Sequence, residues 1–201
     1  MRYLAQILLL VIFFSGSVTT AHAVQKEILL AGGCFWCVES DFDKLDGVTE
    51  TTSGYAGGST QNPTYETYTT GEVSHIEVVK MTYDTDKISY SELLDYFFHH
   101  IDPTDGEGQF CDRGAAYRPA IFVKNDHQRK TAQKIKQHVA DQLNQPVKVD
   151  ILQDAKFWPA EEYHQDYYRK NPIRYKFYRW NCGRDQKIDA LWTQPQRKDT
   201  K

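Results

Sequence analysis

A short apolar run that ends in two glycines and a cysteine constrains the fold of this chain more than any other feature. Residues 28–31 have the length and composition of a buried strand. They lead directly into residues 32–37, whose sequence is Gly-Gly-Cys-Phe-Trp-Cys. Residues 38–45 then carry apolar side chains at helical spacing. The segment therefore predicts a strand, a sharp glycine turn and a helix, with Cys34 near the first turn of that helix.

The position of Cys34 is typical of a reactive thiol. Unpaired backbone N–H groups and the positive end of the helix dipole favour a thiolate at a helix N-terminus. Phe35 and Trp36 follow at once, and two bulky aromatic side chains on an exposed loop are costly unless they line a pocket. We therefore expect Cys34 to be a nucleophile beneath an aromatic lid. The alternative is a buried structural pair formed by Cys34 and Cys37.

The composition is that of one compact globular domain. The chain has 201 residues, of which 40% are hydrophobic and 25% charged. Its formal net charge of -3 gives no basic footprint for nucleic acid, so we expect no nucleic-acid partner. The 4 cysteines are too few for a disulfide-scaffold protein of this length. Each cysteine therefore needs its own explanation.

The N-terminus predicts a secretory signal peptide over residues 1–23. A short positive start at residues 1–2 precedes an almost unbroken apolar run at residues 4–14, and Ala21-His22-Ala23 has the pattern of a cleavage site. The apolar run is short for a transmembrane span, although an uncleaved anchor is the alternative. We expect the mature protein to begin at Val24, in the periplasm, where disulfides persist and no stable membrane association remains.

Residues 75–83 form the clearest strand in the sequence. Alternation places Glu77 on the same face as Val79, Met81 and Tyr83. If that face is the core face, Glu77 is desolvated and its proton affinity rises. The alternative is a glutamate at a solvated sheet edge.

The remaining pattern predicts alternating strands and helices in a single domain of residues 24–192. A capping box at residues 89–92 starts one helix, and Asn125 caps another that runs to about residue 144. Strands are predicted at residues 118–123 and 147–152, and Pro159 is predicted to open a helix. Residues 102–116 form a long loop, and residues 193–201 a polar, mobile tail. The order β-α-β-β-α-β-α-β-α predicts an α+β fold, a two-layer sandwich of ferredoxin-like (split βαβ) type.

The Cys-x-x-Cys spacing of Cys34 and Cys37 admits several readings. A zinc site needs two further ligands in a compatible cluster, and neither Cys111 nor Cys182 belongs to a second such pair, so no metal site is expected. Val38 follows the motif where covalent haem attachment requires histidine. A thioredoxin-like redox pair is still possible, although the two intervening aromatics and the predicted element order oppose it.

Several motifs, in order along residues 26 to 170, resemble those of the A-type peptide-methionine sulfoxide reductases. They are Gly33-Cys34-Phe35-Trp36, Gly54-Tyr55-Ala56-Gly57-Gly58, Asn62-Pro63-Thr64-Tyr65, His75-Ile76-Glu77, Asp102-Pro103-Thr104, Tyr117-Arg118 and Ala160-Glu161-Glu162-Tyr163-His164-Gln165. The resemblance implies reduction of the S epimer of methionine sulfoxide, both free and within oxidised proteins. It also implies no metal or organic cofactor and recycling by a thioredoxin-like donor or another dithiol.

The resemblance also assigns roles to individual residues. Cys34 is the nucleophile that attacks the sulfoxide sulfur, and Glu77 supplies a proton to the sulfoxide oxygen. The residues that bind substrate are the methyl pocket of Phe35 and Trp36 and the polar network of Tyr65, Asp112 and Tyr117.

The second thiol of the reaction has more than one candidate. The sulfenic acid formed on Cys34 must condense with another cysteine. We expect Cys37 to resolve it, because it lies one helical turn away. Cys182 is a possible relay thiol, and a structural Cys111–Cys182 disulfide is the alternative for those two residues.

The competing functions are an exported thiol–disulfide oxidoreductase that uses Cys34 and Cys37, and a module that binds oxidised methionine without turnover. We expect a monomer.

Overall fold

The structure is a computed structural model that describes residues 24–69 and 75–193. The predicted signal peptide at residues 1–23 lies outside the described residues, as does the predicted tail beyond Thr193. Within the described ranges, no helix has both the length and the apolar character needed to cross a membrane.

Eight strands and seven helices make up the described part of the chain. The strands are β1 (Gln25–Ala31), β2 (Val48–Ala56), β3 (Ile76–Asp84), β4 (Gly108–Gln109), β5 (Asp112–Arg113), β6 (Ala120–Val123), β7 (Asp150–Gln153) and β8 (Trp158–Pro159). The helices are α1 (Phe35–Phe42), α2 (Tyr65–Thr69), α3 (Tyr90–His99), α4 (Asp126–Leu143), α5 (Tyr167–Lys170), α6 (Pro172–Asn181) and α7 (Arg184–Trp192). A turn of 3-10 helix spans Ala115–Tyr117.

Six of the strands form one sheet in the order β7-β6-β1-β3-β2-β8. Strands β6, β1, β3 and β2 pair antiparallel with one another, β7 is parallel to β6, and β8 is antiparallel to β2. In the central four strands, β3 lies between β1 and β2, and β1 lies between β3 and β6. This is the split βαβ arrangement. The predicted α+β, single-domain fold class is confirmed.

The main core lies on one face of the sheet. Helices α1, α3 and α4 contribute apolar side chains to one continuous cluster with β1, β3 and β6. A smaller cluster on the opposite face includes Leu29, Ile76, Val78 and Phe122. Three partly buried side chains pack against it, those of Leu152, Ala155 and Phe157. The predicted face of β3 is the core face, since Glu77, Val79, Met81 and Tyr83 are all buried.

Local signals placed most elements where the structure has them. Ser89 and Glu92 form the predicted capping box at the start of α3, and the Asn125 side chain caps α4 by accepting a hydrogen bond from Gln128 N. These ends are set by side chains that satisfy the unpaired N–H groups of the first helical turn.

The prediction that a helix begins at Pro159 is wrong. Pro159 instead lies in β8, opposite Gly54 of β2, and Ala160 N donates to Ser53 O at 2.9 Å. The Gln165 side chain then holds the following turn against Ser53 through hydrogen bonds to both its N–H and its carbonyl. Proline has no N–H to donate to a sheet. It is tolerated in β8 because β8 is an edge strand, where one side of the backbone has no neighbouring strand to pair with. Pairing with β2 therefore overrides the local helix signal, and α5 begins only at Tyr167.

Candidate active site

Cys34 lies at the point where the glycine turn becomes helix α1. Gly33 has φ 82°, and a Cβ at this position would lie 2.5 Å from Gln109 Cβ, so the turn requires glycine. Cys34 is the N-cap of α1, and its carbonyl accepts from Cys37 N at 3.1 Å and from Val38 N at 3.3 Å. Cys34 and Cys37 are free thiols, 6% and 2% exposed respectively. The strand, turn and helix order predicted for this segment is confirmed.

Glu77 lies beside Cys34 because it binds the first backbone N–H of α1. Its Oε2 accepts a hydrogen bond from Phe35 N at 2.9 Å, and the residue is only 2% exposed. The carboxyl group thus occupies the electropositive end of the helix. The strand that carries Glu77 and the helix that follows Cys34 are joined by this buried contact.

The pKa of the Cys34 thiol lies well above its usual range, mainly because the sulfur is buried. The hydrogen bond that Cys34 donates to Cys37 raises this pKa further, and so do the negative charges of Glu77 and Asp112. These effects oppose the thiolate that the helix N-terminus alone would favour at Cys34. Burial is the main cause, and the N–H of Phe35 is taken up by the Glu77 carboxyl group rather than by the sulfur.

The pKa of Cys37 is shifted in the opposite direction. The hydrogen bond from Cys34 lowers the pKa of the Cys37 thiol, and the positive charges of Arg184 and Arg179 lower it further, against the effect of burial. Of the two thiols, Cys37 is therefore the one that loses its proton more readily. Two neighbouring thiols of this kind lose their protons as a coupled pair.

The Trp36 indole is held in place by three neighbours. Its Nε1 donates to His164 Nδ1 at 3.0 Å, and its ring stacks on Tyr167 with centroids 3.7 Å apart and planes 6° apart. The Tyr178 ring packs edge-on at 5.7 Å. The Phe35 ring lies 5.0 Å from His164, which completes an apolar wall beside Cys34. The structure thus brings both aromatics of the predicted methyl pocket together.

His164 acts as a neutral support for this wall. Burial lowers its pKa, and Nδ1 accepts the Trp36 hydrogen bond, so the proton of the neutral ring sits on Nε2. Nε2 lies 3.9 Å from Glu161 Oε2. The hydrogen bond from Trp36 to His164 therefore requires an uncharged imidazole ring.

Tyr65 reaches the same site through Glu161. Glu161 Oε1 accepts from Tyr65 N at 2.8 Å, and its Oε2 accepts from the Tyr55 hydroxyl at 3.0 Å. Burial raises the pKa of Tyr65, and the charges of Glu77 and Cys34 raise it further. The Tyr65 hydroxyl therefore lies within electrostatic reach of both Cys34 and Glu77.

Asp112 and Tyr117 approach from the long loop between α3 and β6. Asp112 Oδ2 accepts a 2.5 Å hydrogen bond from the Tyr178 hydroxyl, and burial raises the pKa of this aspartate. Its charge acts on Cys34. Tyr117 ends the 3-10 turn, which packs against β3, the strand of Glu77. The structure therefore brings Asp112 close enough for its charge to act on Cys34, and it places the turn that ends at Tyr117 against the strand of Glu77.

Cys111 and Cys182 form a disulfide with a Cα–Cα distance of 4.9 Å. The bridge fixes the loop next to Asp112 to the C-cap of α6. Cys182 is thus not a free thiol in this structure, and its predicted relay role stays a prediction. Cys111, Asp112 and Cys182 are also the one group of potential metal ligands found among the described residues, but both sulfur atoms are committed to the disulfide.

Several supporting residues had no role in the sequence interpretation. Arg184 is 2% exposed and donates to Gly32 O at 3.2 and 3.3 Å and to His100 O at 2.8 Å. Arg179 binds Asp41 at 2.8 Å, and Tyr178 binds Asp112. Among the supporting residues, Tyr55, Glu161 and His164 had a sequence signal, because they lie within motifs of the resemblance. The others follow the last of those motifs.

Comparison with known sequences gives a consistent family. The family model described as peptide methionine sulfoxide reductase matches residues 26–196. The chain is 52% identical over 173 residues to peptide methionine sulfoxide reductase MsrA 2 of Rhizobium meliloti, covering 86% of each chain. It is 48% identical over 179 residues to MsrA/MsrB of Vibrio cholerae, where it covers 88% of this chain but 47% of that protein. The chain thus spans about half the length of that relative.

Solved structures give the same result. The reduced form of Mxr1 from Saccharomyces cerevisiae matches with a TM-score of 0.69 and 33% identity, over 74% of this chain and 86% of that one. Methionine sulfoxide reductase A of Corynebacterium diphtheriae matches with a TM-score of 0.67 and 31% identity, over 74% and 76%. Mxr1 in complex with Trx2 matches with a TM-score of 0.52 and 26% identity, over 76% and 91%.

The matched region contains the glycine turn, both free cysteines, Glu77 and the aromatic wall. This chain therefore belongs to the peptide methionine sulfoxide reductases of the A type, and it is an oxidoreductase.

Proposed function

We propose that this protein is an exported, thiol-dependent reductase that converts methionine S-sulfoxide, free and within oxidised proteins, to methionine. The observation that carries the proposal is the hydrogen bond from Phe35 N to Glu77 Oε2, which holds a buried carboxyl group beside the Cys34 nucleophile. The predicted signal peptide supports export to the periplasm.

The substrate is held by an apolar wall and a polar network. The S-methyl group packs on Phe35 and Trp36, whose indole cannot rotate freely because His164 and Tyr167 hold it. The sulfoxide oxygen lies toward Glu77 and Tyr65, with Asp112 and Tyr117 completing the polar side. A rigid apolar pocket next to positioned donors favours one orientation of the substrate.

Cys34 and Glu77 share the proton that the reaction needs. The Glu77 charge raises the pKa of Cys34, so moving the proton from the sulfur to the carboxylate creates the thiolate and the acid together. The thiolate attacks the sulfoxide sulfur, and Glu77 delivers the proton to the oxygen. The protonated oxygen then passes from the substrate sulfur to Cys34 as the bond between the two sulfur atoms breaks. Cys34 becomes a sulfenic acid, and the substrate sulfur gains two electrons and departs as methionine.

Cys37 then resolves the sulfenic acid. Its pKa is lowered by the contact with Cys34 and by the charges of Arg184 and Arg179, which favours the nucleophilic thiolate. Attack of Cys37 on the Cys34 sulfenic acid releases water and forms a disulfide. A thioredoxin-like dithiol reduces that disulfide and is itself oxidised. The complex of Mxr1 with Trx2 supports this class of donor. The cycle requires no metal or organic cofactor.

Reduction of dabsyl-methionine sulfoxide with dithiothreitol tests the proposal. The wild type should release dabsyl-methionine from the S epimer, and Cys34→Ser should release none. The hydrogen-bonded pair of Cys34 and Cys37 also suits a thiol–disulfide oxidoreductase. A wild type that scrambles disulfides without reducing the sulfoxide would support that second function and overturn the first. Binding of the sulfoxide without product would leave a recognition module.

A further inference from the structure

Helix α6 carries three large apolar side chains on its solvent face. Ile173, Phe177 and Trp180 are 85%, 63% and 64% exposed, and the rings of Phe177 and Trp180 lie 6.0 Å apart. Their spacing of four and three residues places them in one stripe along the helix. Neighbouring exposed apolar side chains of this size typically mark an interaction surface.

Two basic residues flank the stripe. At 100° per residue, Arg174 and Lys176 fall on opposite sides of the three apolar positions, and both are exposed. In the part of the chain that the structure describes, neither is paired with a carboxylate. A partner that covers this face therefore needs an apolar centre with carboxylates at its rim.

The inner face of the same helix contacts the redox centre. Tyr175 packs in one cluster with Cys37, and Arg179 acts on the Cys37 thiol. At its C-terminal end α6 is capped by Cys182, two residues beyond Trp180, and Cys182 is bridged to the exposed Cys111. Both cysteine pairs of the chain therefore adjoin this one short helix.

We propose that the outer face of α6, formed by Ile173, Phe177 and Trp180 with Arg174 and Lys176, is the docking surface for the thioredoxin-like dithiol protein that reduces this enzyme. The inference rests on the proposed function, because it requires a disulfide that is formed in each turnover. A donor seated on this stripe has its dithiol near the C-terminal end of α6, where the exposed Cys111 is bridged to Cys182.

The electron transfer at this surface is a thiol–disulfide exchange. A thiolate of the donor attacks one sulfur of the enzyme disulfide, forming a mixed disulfide and releasing one enzyme thiolate. The second donor thiol then attacks the mixed disulfide and releases the other enzyme cysteine. The donor leaves as a disulfide, and the enzyme has gained two electrons and two protons.

Comparing a protein donor with a small dithiol tests the docking surface. The test variants are the double substitution Phe177→Ser with Trp180→Ser and the charge reversal Arg174→Glu with Lys176→Glu. The matched control is Lys130→Glu with Lys134→Glu, two exposed lysines on α4. Each is assayed on free methionine sulfoxide with thioredoxin kept reduced by thioredoxin reductase and NADPH, and separately with dithiothreitol.

We expect the KM for thioredoxin to rise about tenfold or more in both test variants, as for truncated interface anchors, and to stay unchanged in the control. The rate with dithiothreitol should not change, because a small dithiol needs no docking surface. An unchanged KM for thioredoxin would overturn the inference. If the test variants lose as much activity on an oxidised protein substrate with dithiothreitol as with thioredoxin, the face binds the protein substrate instead. If the wild type sediments as a dimer and the test variants do not, the face binds a second copy of this chain. A wild type that reduces no sulfoxide with dithiothreitol would instead refute the proposed function.

Discussion

Replacing Arg184 by methionine should destabilise the fold and slow the resolving step. The guanidinium is buried and donates three hydrogen bonds to the carbonyls of Gly32 and His100, which fixes the glycine turn before Cys34 against the end of α3. Its Nε also lies 3.8 Å from Asp41 Oδ2. Methionine has a similar length but leaves these acceptors unpaired.

The magnitude follows from the type of contact that is lost. A hydrogen bond to a charged group contributes about 1.5–3 kcal/mol, but burying the charge has its own cost, so the three bonds do not simply add. Removing one partner from a buried ionic network typically costs about 3–5 kcal/mol. We expect the free energy of unfolding to fall by that amount in urea titrations. Arg184→Lys keeps the charge but not the forked geometry, so its loss should be smaller.

The same substitution has a distinct kinetic consequence. The Arg184 charge lowers the pKa of Cys37, so removing it raises that pKa and slows formation of the Cys34–Cys37 disulfide. Rapid quenching with a thiol-blocking reagent and mass spectrometry measures this step, and Arg184→Lys should restore much of its rate. A loss of stability below about 1 kcal/mol in the methionine variant, or a wild-type rate of disulfide formation across pH, would refute this reasoning.

Four further outcomes are expected. Glu77→Gln keeps an acceptor for the Phe35 N–H but cannot give a proton, so kcat should fall about 10²–10⁴-fold with dithiothreitol; a wild-type rate would remove Glu77 as the acid. Without a reductant, Cys37→Ser should form one methionine per enzyme and then stop as a sulfenic acid that dimedone traps; a Cys34–Cys182 disulfide as first product in the wild type would contradict this. Replacing Cys111 and Cys182 together by serine opens a bridge between residues 71 apart and should cost about 4 kcal/mol in stability, measured in urea, while the dithiothreitol-driven reaction persists. Burial raises the pKa of Glu39 to about 7, so the folded state holds the Glu39 proton more tightly than the unfolded state. The part of the free energy of unfolding that comes from this proton is fully present below about pH 4.5. It falls by about 3 kcal/mol as the pH rises to about 7. In urea titrations, the free energy of unfolding of Glu39→Gln should not show this fall across that pH range. Parallel curves of unfolding free energy against pH for the variant and the wild type would contradict this.

Most of the secondary structure follows from local sequence. The alternation of β3 predicted its buried face, and Ser89 with Glu92 predicted the start of α3, because periodicity and helix capping act over a few residues. Pro159 is the instructive failure. Its local helix signal is real, but pairing with Gly54 decides the backbone there.

The chemistry of the site depends on contacts that the chain order does not reveal. Trp36 is held by His164, 128 residues away, and Arg184 reaches Gly32 across 152 residues. No spacing rule connects such pairs, because their contact exists only after the sheet and its helices have packed. The C-terminal helices that supply Tyr178 and Arg184 lie beyond the motifs of the resemblance, so their roles were found only in the structure.

The glycine turn before Cys34 depends on both local sequence and tertiary contacts. The sequence alone determined that Cys34 sits between a strand and a helix, since the apolar run, the two glycines and the helical spacing are local. Only the tertiary structure decided the direction in which the pKa of that cysteine shifts, because the surrounding core excludes water and β3 brings the Glu77 charge to the first N–H of α1. A pKa reports burial and neighbouring charge, and both are set by residues distant in the chain.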